Sequence, residues 1–336
     1  MSRIGILGSG SWGLTLACLM HQAGHTVTLW NRHEAKAEQL KANRSVTFPV
    51  TLTLPEDVTI TDNLATAITD ADIVMLVVTS AGTRSVLEAI QALGILPSHT
   101  ILLNASKGIE YPSLKNLSAV VEEHFPNQPA GVLSGPTLAP EILKGLPTAA
   151  VVASHALATA EYLQKTLSTE RFRIYTNTDV IGTEMGGALK NIFAIVSGYM
   201  KAKELGDNAQ STLITRGLAE MTRFSMAMGA DVQTLYGLSG LGDLLATCNS
   251  PLSRNYQVGF RLAQGQSLEQ ILAELHMVAE GVQTTYAVCE LSQQLNLDVP
   301  IVHQVRKAFS GQFCEQEIIH TLMSRRLKSE LVSAPA

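Results

Sequence analysis

The sequence predicts an α/β fold in which a doubly wound, mostly parallel sheet is followed by an all-α domain. Three observations carry this. The chain opens on a strand, a glycine-rich turn, a helix and a second strand. Short apolar runs of strand length then recur between helical stretches. From about Ile181 onward the strand signals almost vanish and helical periodicity dominates. A chain of 336 residues suits two domains, which we place at 1–180 and 181–336.

The first unit is "RIGIL", an apolar run suited to a buried parallel strand, then Gly8, Gly10 and Gly13 in G-x-G-x-x-G spacing. "LTLACLMHQAG" follows as a helix stopped at Gly24, and "HTVTLW" as the second strand, completing a βαβ unit. Each glycine has a physical task in binding a dinucleotide. Gly8 turns the chain off the strand, Gly10 lets a pyrophosphate approach the backbone, and Gly13 lets helix and strand pack closely. The helix N-terminus then offers N–H groups and a positive dipole end. The bland alternative is an ordinary tight turn. At the tip of the second strand stand Asn31, Arg32 and His33, with Glu34 arriving late. A site selective for NAD usually carries a carboxylate there, whereas Arg accommodates a 2′-phosphate. NADP(H) is therefore expected to be accepted, unless Arg32 and His33 merely form a solvated loop.

The later strands of the first half are "ADIVMLVV", "TILLNAS", "AGVLSGP", "TAAVVAS" and "FRIYTN". Helices of the second half are read from "GTEMGGALKNIFAIVSGYM", "NAQSTLITRGLAEMTRFSMAMG", "SLEQILAEL", "TTYAVCELSQQL" and "PIVHQVRKAFS"; the tail "SELVSAPA" is expected to fray.

Composition narrows the function classes. A net charge of -5 and the lack of a basic stripe argue against nucleic acid. No apolar run approaches a membrane span, and no charged-then-apolar leader precedes the first strand. Cys18, Cys248, Cys289 and Cys314 lie far apart, which suits buried thiols in a reducing cytoplasm, and the nine histidines show no metal-ligand spacing.

Ligands of open α/β sheets bind beyond the carboxyl ends of the strands. Three loops there carry candidate chemistry: "TSAGTR", "NASKGIE" with Lys107, and "SGPTLAPE" with Gly135 and Thr137. Lys107 suits a phosphate or a substrate hydroxyl, or simply solvent. In the long helix after residue 180, Met185, Leu189, Ile192, Val196 and Tyr199 form one apolar face. Lys190 lies opposite among Thr183, Gly186, Gly187, Ala194 and Ser197, leaving room for a substrate or a closely packed backbone. A shielded lysine suits general acid or base work. Gly240 and Gly242 are read as a turn presenting Asp243, which would bond substrate, orient Lys190 or cap a helix. Ser253, Arg254 and Asn255 gather a hydroxyl, a guanidinium and an amide suited to an anion. Glu280 is placed in a loop before a helix, as a cap or a cofactor contact.

"GSGSWG", "SKGIE", "SGPTLAPE", "GALKNIFAI", "GDNAQSTLITRGLAEM", "GLSGLGDLLATCNSPLSRN" and "VAEGVQTT" follow in order over nearly the whole chain. With them the chain closely resembles the bacterial-type NAD(P)-dependent glycerol-3-phosphate dehydrogenases. The resemblance implies a Rossmann-like first domain, cytoplasmic location, and interconversion of dihydroxyacetone phosphate and sn-glycerol 3-phosphate with NADP(H) or NAD(H), feeding glycerophospholipid synthesis. It implies Lys190 as catalytic acid and base, and Ser11, Trp12, Arg32, His33, Ala139, Val278 and Glu280 as cofactor contacts beside Gly8, Gly10 and Gly13. Lys107 would touch cofactor and substrate. Gly135, Thr137, Asp243, Ser253, Arg254 and Asn255 would hold substrate, with Arg254 also reaching the cofactor. A homodimer is compatible with such a helical domain. Leu138, where the family usually has Phe, and "KAKELGDN" depart from the pattern. The competing readings are a β-hydroxyacid or 6-phosphogluconate-type dehydrogenase, and a nucleotide-sensing module without chemistry.

Overall fold

The computed structural model describes residues 1–48, 50–275 and 279–311, with Gln316, Thr321, Met323, Ser324 and Leu327 beyond them. Val278, Cys314 and the tail "SELVSAPA" lie outside the described residues. The first half runs β1 (Arg3–Leu7), α1 (Ser11–Gln22), β2 (Thr26–Trp30), α2 (Glu34–Asn43), β3 (Ser45–Phe48), β4 (Val50–Thr53), β5 (Thr59–Thr61), α3 (Leu64–Ile68), β6 (Ile73–Leu76), α4 (Ser80–Leu93), β7 (Ile101–Asn104), α5 (Leu117–His124), β8 (Ala130–Ser134), α6 (Ala139–Leu143), β9 (Thr148–Ala153), α7 (Leu157–Leu167) and β10 (Phe172–Asn177). The second half is helical: α8 (Val180–Ala202), α9 (Asp207–Ala227), α10 (Val232–Leu235), a π-helical turn (Leu238–Gly242), α11 (Asp243–Cys248), α12 (Arg254–Ala263), α13 (Leu268–Leu275), α14 (Glu280–Gln294) and α15 (Pro300–Phe309).

The main sheet has eight strands in the order β10-β9-β8-β7-β6-β1-β2-β5. Its central strands alternate with period two and are buried on both sides, as a doubly wound sheet requires. Ile4, Ile6, Ile73, Met75, Ile101 and Leu103 face one core with α1 and α7. Leu7, Val74, Leu76 and Leu102 face the other with α3, α4 and α5. All pairings are parallel except β8 with β9, which run antiparallel through Leu133↔Val152. That reversal departs from the parallel expectation, as does the antiparallel β3–β4 hairpin; neither of these, nor the parallel edge strand β5, was read from the sequence. The "TSAGTR" segment is also no loop: β6 ends at Leu76 and α4 begins at Ser80.

The helical half is organised around α8, which is buried almost all round rather than on one face. Met185, Leu189, Ile192 and Phe193 pack there with residues of α9, α11, α12, α14 and α15, and Ile109 reaches into the same core from the first half. Each such fully buried side chain stabilises the fold by about 1.5–3 kcal/mol. Two glycines bring α8 and α12 into backbone contact. A Cβ on Gly198 would lie 1.9 Å from the Tyr256 carbonyl oxygen, and one on Gly259 1.7 Å from that of Ile195.

Two carboxylates are buried in this frame. Glu220 accepts from the Ile301 and Val302 amides at 3.2 and 3.0 Å, capping α15. Glu184, on α8, accepts from the Ser118 amide at 3.0 Å at the start of α5. Burial pushes each up to about 7, against the opposing effect of those bonds. No helix among the described residues is long and apolar enough to cross a membrane.

Candidate active site

The register aligns Leu7 with Trp30 and Leu76, and Leu76 with Asn104, so four strands end together at one edge of the sheet. The three glycines after β1 perform distinct tasks there. Gly8 has φ +123, and a Cβ on it would sit 2.5 Å from the Val77 carbonyl oxygen. A Cβ on Gly13 would sit 1.9 Å from the Gly8 carbonyl oxygen, whereas one on Gly10 would meet nothing within 4 Å. The first and third are packing requirements, and the second leaves open space where a phosphate would lie. Helix α1 starts at Ser11 with no side-chain cap, so its first amides are available to an anion. Trp12 is partly buried against the first core. This cradle fits a dinucleotide.

At the tip of β2, the Asn31 amide donates to Ser9 Oγ and accepts from the His33 amide at 2.8 Å. Arg32 and His33 are exposed, with Arg32 Nε 3.1 Å from His33 Nε2. The tip thus presents a guanidinium, while Glu34 has already entered α2.

In the helical half, one carboxylate organises two lysines. Asp243 is 1% exposed. Its Oδ2 accepts from Lys107 Nζ at 2.6 Å and its Oδ1 from Lys190 Nζ at 2.7 Å. Lys107 also donates to the Gly135 carbonyl at 2.8 Å and lies 3.3 Å from Thr137 Oγ1; Lys190 donates to Thr247 Oγ1 at 2.6 Å. Burial, outweighing the attraction of Asp243 and reinforced by the charge of Lys190, pushes Lys107 down to about 8. Lys107, Gly135, Thr137, Asp243 and Lys190 therefore form one contiguous cluster. The small residues around Lys190 prove to be packing sites rather than open space. A Cβ on Gly186 would lie 2.4 Å from the Ser239 carbonyl oxygen, and one on Gly187 2.5 Å from Ser134 Oγ and 3.4 Å from the Lys107 side chain. Asp243 is the first residue of α11 and orients the lysines instead of capping a helix.

On α12, Ser253 is the N-cap and accepts from the Tyr256 amide at 3.3 Å. Asn255 Oδ1 accepts from the Gly281 amide at 3.0 Å. Burial pushes Arg254 below its ordinary value, opposed by the charge of Glu280. Glu280 is not in a loop: it is the first residue of α14, and it accepts from the amide of Ser80 at 3.1 Å and from its hydroxyl at 2.5 Å. It thereby caps the first turn of α4 from the helical half. Ala139 opens α6, which packs beside α1, close to the cradle. Among the described residues no three His, Cys, Asp or Glu gather as metal ligands.

Family models cover both halves of this arrangement. That for the NAD-dependent glycerol-3-phosphate dehydrogenase N-terminus matches residues 3–160, and that for the C-terminus matches residues 179–320. The chain belongs to this family. It is 39% identical to the glycerol-3-phosphate dehydrogenase [NAD(P)+] of Fusobacterium nucleatum over 99% of this chain and 100% of that one. Identity to the enzyme of the same name from Trichormus variabilis is 44% over 97% of each. A crystal structure of glycerol-3-phosphate dehydrogenase from Coxiella burnetii superposes with a TM-score of 0.90 at 32% identity, covering 96% of this chain and 99% of that one.

Thr247 was not among the candidate residues of this glycerol-3-phosphate dehydrogenase family site, and Ser80 was covered only by the segment "TSAGTR", with no role of its own. Thr247 stands four residues after Asp243 on α11, the spacing that puts two side chains on one face, and that signal was legible. The pairing of Ser80 with Glu280 had no such signal, because the two are 200 residues apart.

Proposed function

We propose that Lys190 moves the proton in the reaction of this enzyme, the reversible NAD(P)H-dependent reduction of dihydroxyacetone phosphate to sn-glycerol 3-phosphate. The chain is an oxidoreductase of the glycerol-3-phosphate dehydrogenase [NAD(P)+] type, and its cofactor is NAD or NADP. The observation that carries the assignment is the single buried carboxylate of Asp243 holding both Lys107 and Lys190.

In this reading residues 1–180 hold the cofactor and 181–336 complete the substrate site. The backbone at Gly8, Gly10, Ser11 and Gly13 takes the pyrophosphate, and Arg32 and His33 take a 2′-phosphate. Trp12, Ala139 and Glu280 flank the cofactor, and Val278 is assigned to it from the family resemblance alone. When bound, the reduced nicotinamide supplies hydride to the ketone carbon. Lys190, held by Asp243 and Thr247, gives its proton to the developing alkoxide, and in the reverse direction its neutral amine takes that proton back. Lys107, bonded to Asp243 and the Gly135 carbonyl, fixes the reacting oxygen, with Gly135 and Thr137 lining the same side. Arg254 meets the phosphate with a charge-assisted fork. Ser253 and Asn255 have their acceptor oxygens engaged by backbone amides, so each offers the phosphate a donor.

Cytoplasmic location and supply of glycerophospholipid synthesis belong to the same proposal. Cys18, Cys248 and Cys289 are buried free thiols, which supports a reducing compartment. A homodimer through the helical domain completes it and is read by light scattering.

The test is NADPH absorbance loss with dihydroxyacetone phosphate, run beside NADH and a hydroxyacid panel. K190A is expected to lower turnover about 10²–10⁴-fold while NADPH still binds. K190A activity within a few-fold of the parent would refute the role of Lys190.

A further inference from the structure

We propose that Glu184 and Asn104 are positioning residues for Lys107, forming a hydrogen-bond relay that lets α8 place both active-site lysines. The proposal rests on the site reading given above, in which Lys107 fixes the substrate oxygen.

Asn104 is the last residue of β7 and is fully buried. Its Nδ2 donates to Glu184 Oε1 at 3.0 Å and lies 3.3 Å from the Ser106 carbonyl. Its Oδ1 accepts from the Ser106 amide at 3.1 Å. Ser106 Oγ in turn donates to the Val78 carbonyl at 2.6 Å. The next residue is Lys107.

The polarity of this chain runs one way. Glu184 Oε1 accepts in either charge state, because it already receives the Ser118 amide, and a proton on this carboxyl sits on Oε2, which faces the Ser118 hydroxyl. Glu184 is 2% exposed, and it also accepts from the amide of Ser118 at 3.0 Å and its hydroxyl at 2.6 Å. The carboxylate therefore dictates which way the Asn104 amide faces. A flipped Asn104 would set its oxygen against a carboxylate oxygen and its NH₂ against the Ser106 N–H, and two buried bonds would be lost at once. With the amide fixed, the turn has one conformation, and the Lys107 stem leaves it across Gly187 toward Gly135 and Asp243. Glu184, Gly187 and Lys190 follow at three-residue spacing on α8. One rigid helix thus orients the turn of the first lysine, seats its stem and carries the second.

The experiment is a double-mutant cycle on the full chain, with kcat and KM for dihydroxyacetone phosphate, NADPH affinity and a urea midpoint measured for each protein. N104A is expected to lower kcat/KM about 10–100-fold, the cost of misplacing a reacting group by a fraction of an ångström to an ångström. NADPH affinity should stay within about twofold, as expected for an uncoupled site. In a K107A background the same N104A change should cost no more than about twofold, because its effect runs through the absent side chain. A merely structural Asn104 would lower the urea midpoint and leave this coupling at zero. E184A, which removes the acceptor, should reproduce N104A; if E184A does not fold, N104A decides, since it leaves Glu184 bonded to Ser118. Wild-type kcat/KM in folded N104A, or an undiminished penalty in K107A, overturns the proposal. Full activity of K107A alone would overturn the site reading, and the proposal with it.

Discussion

Replacing Asp243 by Asn changes one atom and removes the charge on which both lysines depend. The carboxylate receives Lys107 at 2.6 Å on one oxygen and Lys190 at 2.7 Å on the other. An Asn side chain keeps one acceptor and turns an NH₂ donor toward the second lysine. That site is buried, so a proton must leave. Lys107 is the group that yields, because burial already holds it at about 8, and losing the attraction of Asp243 lowers it further. Near pH 7 a group at that value deprotonates for about 1.4 kcal/mol, one unit of pKa. This escape route limits the loss of stability to about 1–2 kcal/mol, less than the 3–5 kcal/mol typical when a buried pair loses one partner. On the proposed roles catalysis has no such escape, since the cation assigned to the substrate oxygen is gone and Lys190 keeps only Thr247. The expected fall in kcat/KM for dihydroxyacetone phosphate is about 10²–10⁴-fold. It is measured by NADPH oxidation between pH 6 and 9 (roughly the window spanning the Lys107 value), with NADPH affinity followed separately by fluorescence. D243N activity near that of the parent across this window would refute the claim that one carboxylate organises both lysines.

The cradle glycines should separate. G13A is expected to lose about 1–3 kcal/mol of stability from overpacking. G10A should keep the parental urea midpoint yet weaken NADPH binding roughly 5- to 100-fold, the same overpacking transferred to the complex. R32A should lower kcat/KM with NADPH about tenfold or more and leave NADH nearly unchanged, since a hydrogen bond to a charged group is worth about 1.5–3 kcal/mol. Glu220 tests the pH dependence of stability. Its value is raised in the fold, so the native state binds the extra proton, and the stabilisation present below about 4.5 is lost as pH rises through about 7. E220Q should therefore narrow the difference in unfolding free energy between pH 5 and pH 7 by about 2 kcal/mol; an unchanged difference in urea titrations would count against a raised Glu220.

Much of this was legible because it follows from local periodicity and turn chemistry. The β1–α1–β2 unit, the strand Phe172–Asn177 and the change to helices at Val180 are read from runs of a few residues. The antiparallel β8–β9 pair was not, since a fully buried strand has the same apolar pattern in either direction. The β3–β4 hairpin and β5 were missed because "SVTFPVTLT" and "TIT" are short and rich in threonine. At the site, Lys107, Lys190 and Asp243 were singled out one by one, but their convergence depends on folding across 136 residues. Glu184 and Glu220 look like ordinary polar helix positions, and only tertiary packing shows that both are buried caps.

The glycine crossing of α8 and α12 acts as a ruler. Lys190 rides on one helix and Arg254 on the other, and the two backbones touch at Gly198 and Gly259 with no side chains between them. Rotamer changes cannot lengthen that gap. The spacing of the two helices that carry Lys190 and Arg254 is thus a property of the backbone, insensitive to how the neighbouring side chains repack.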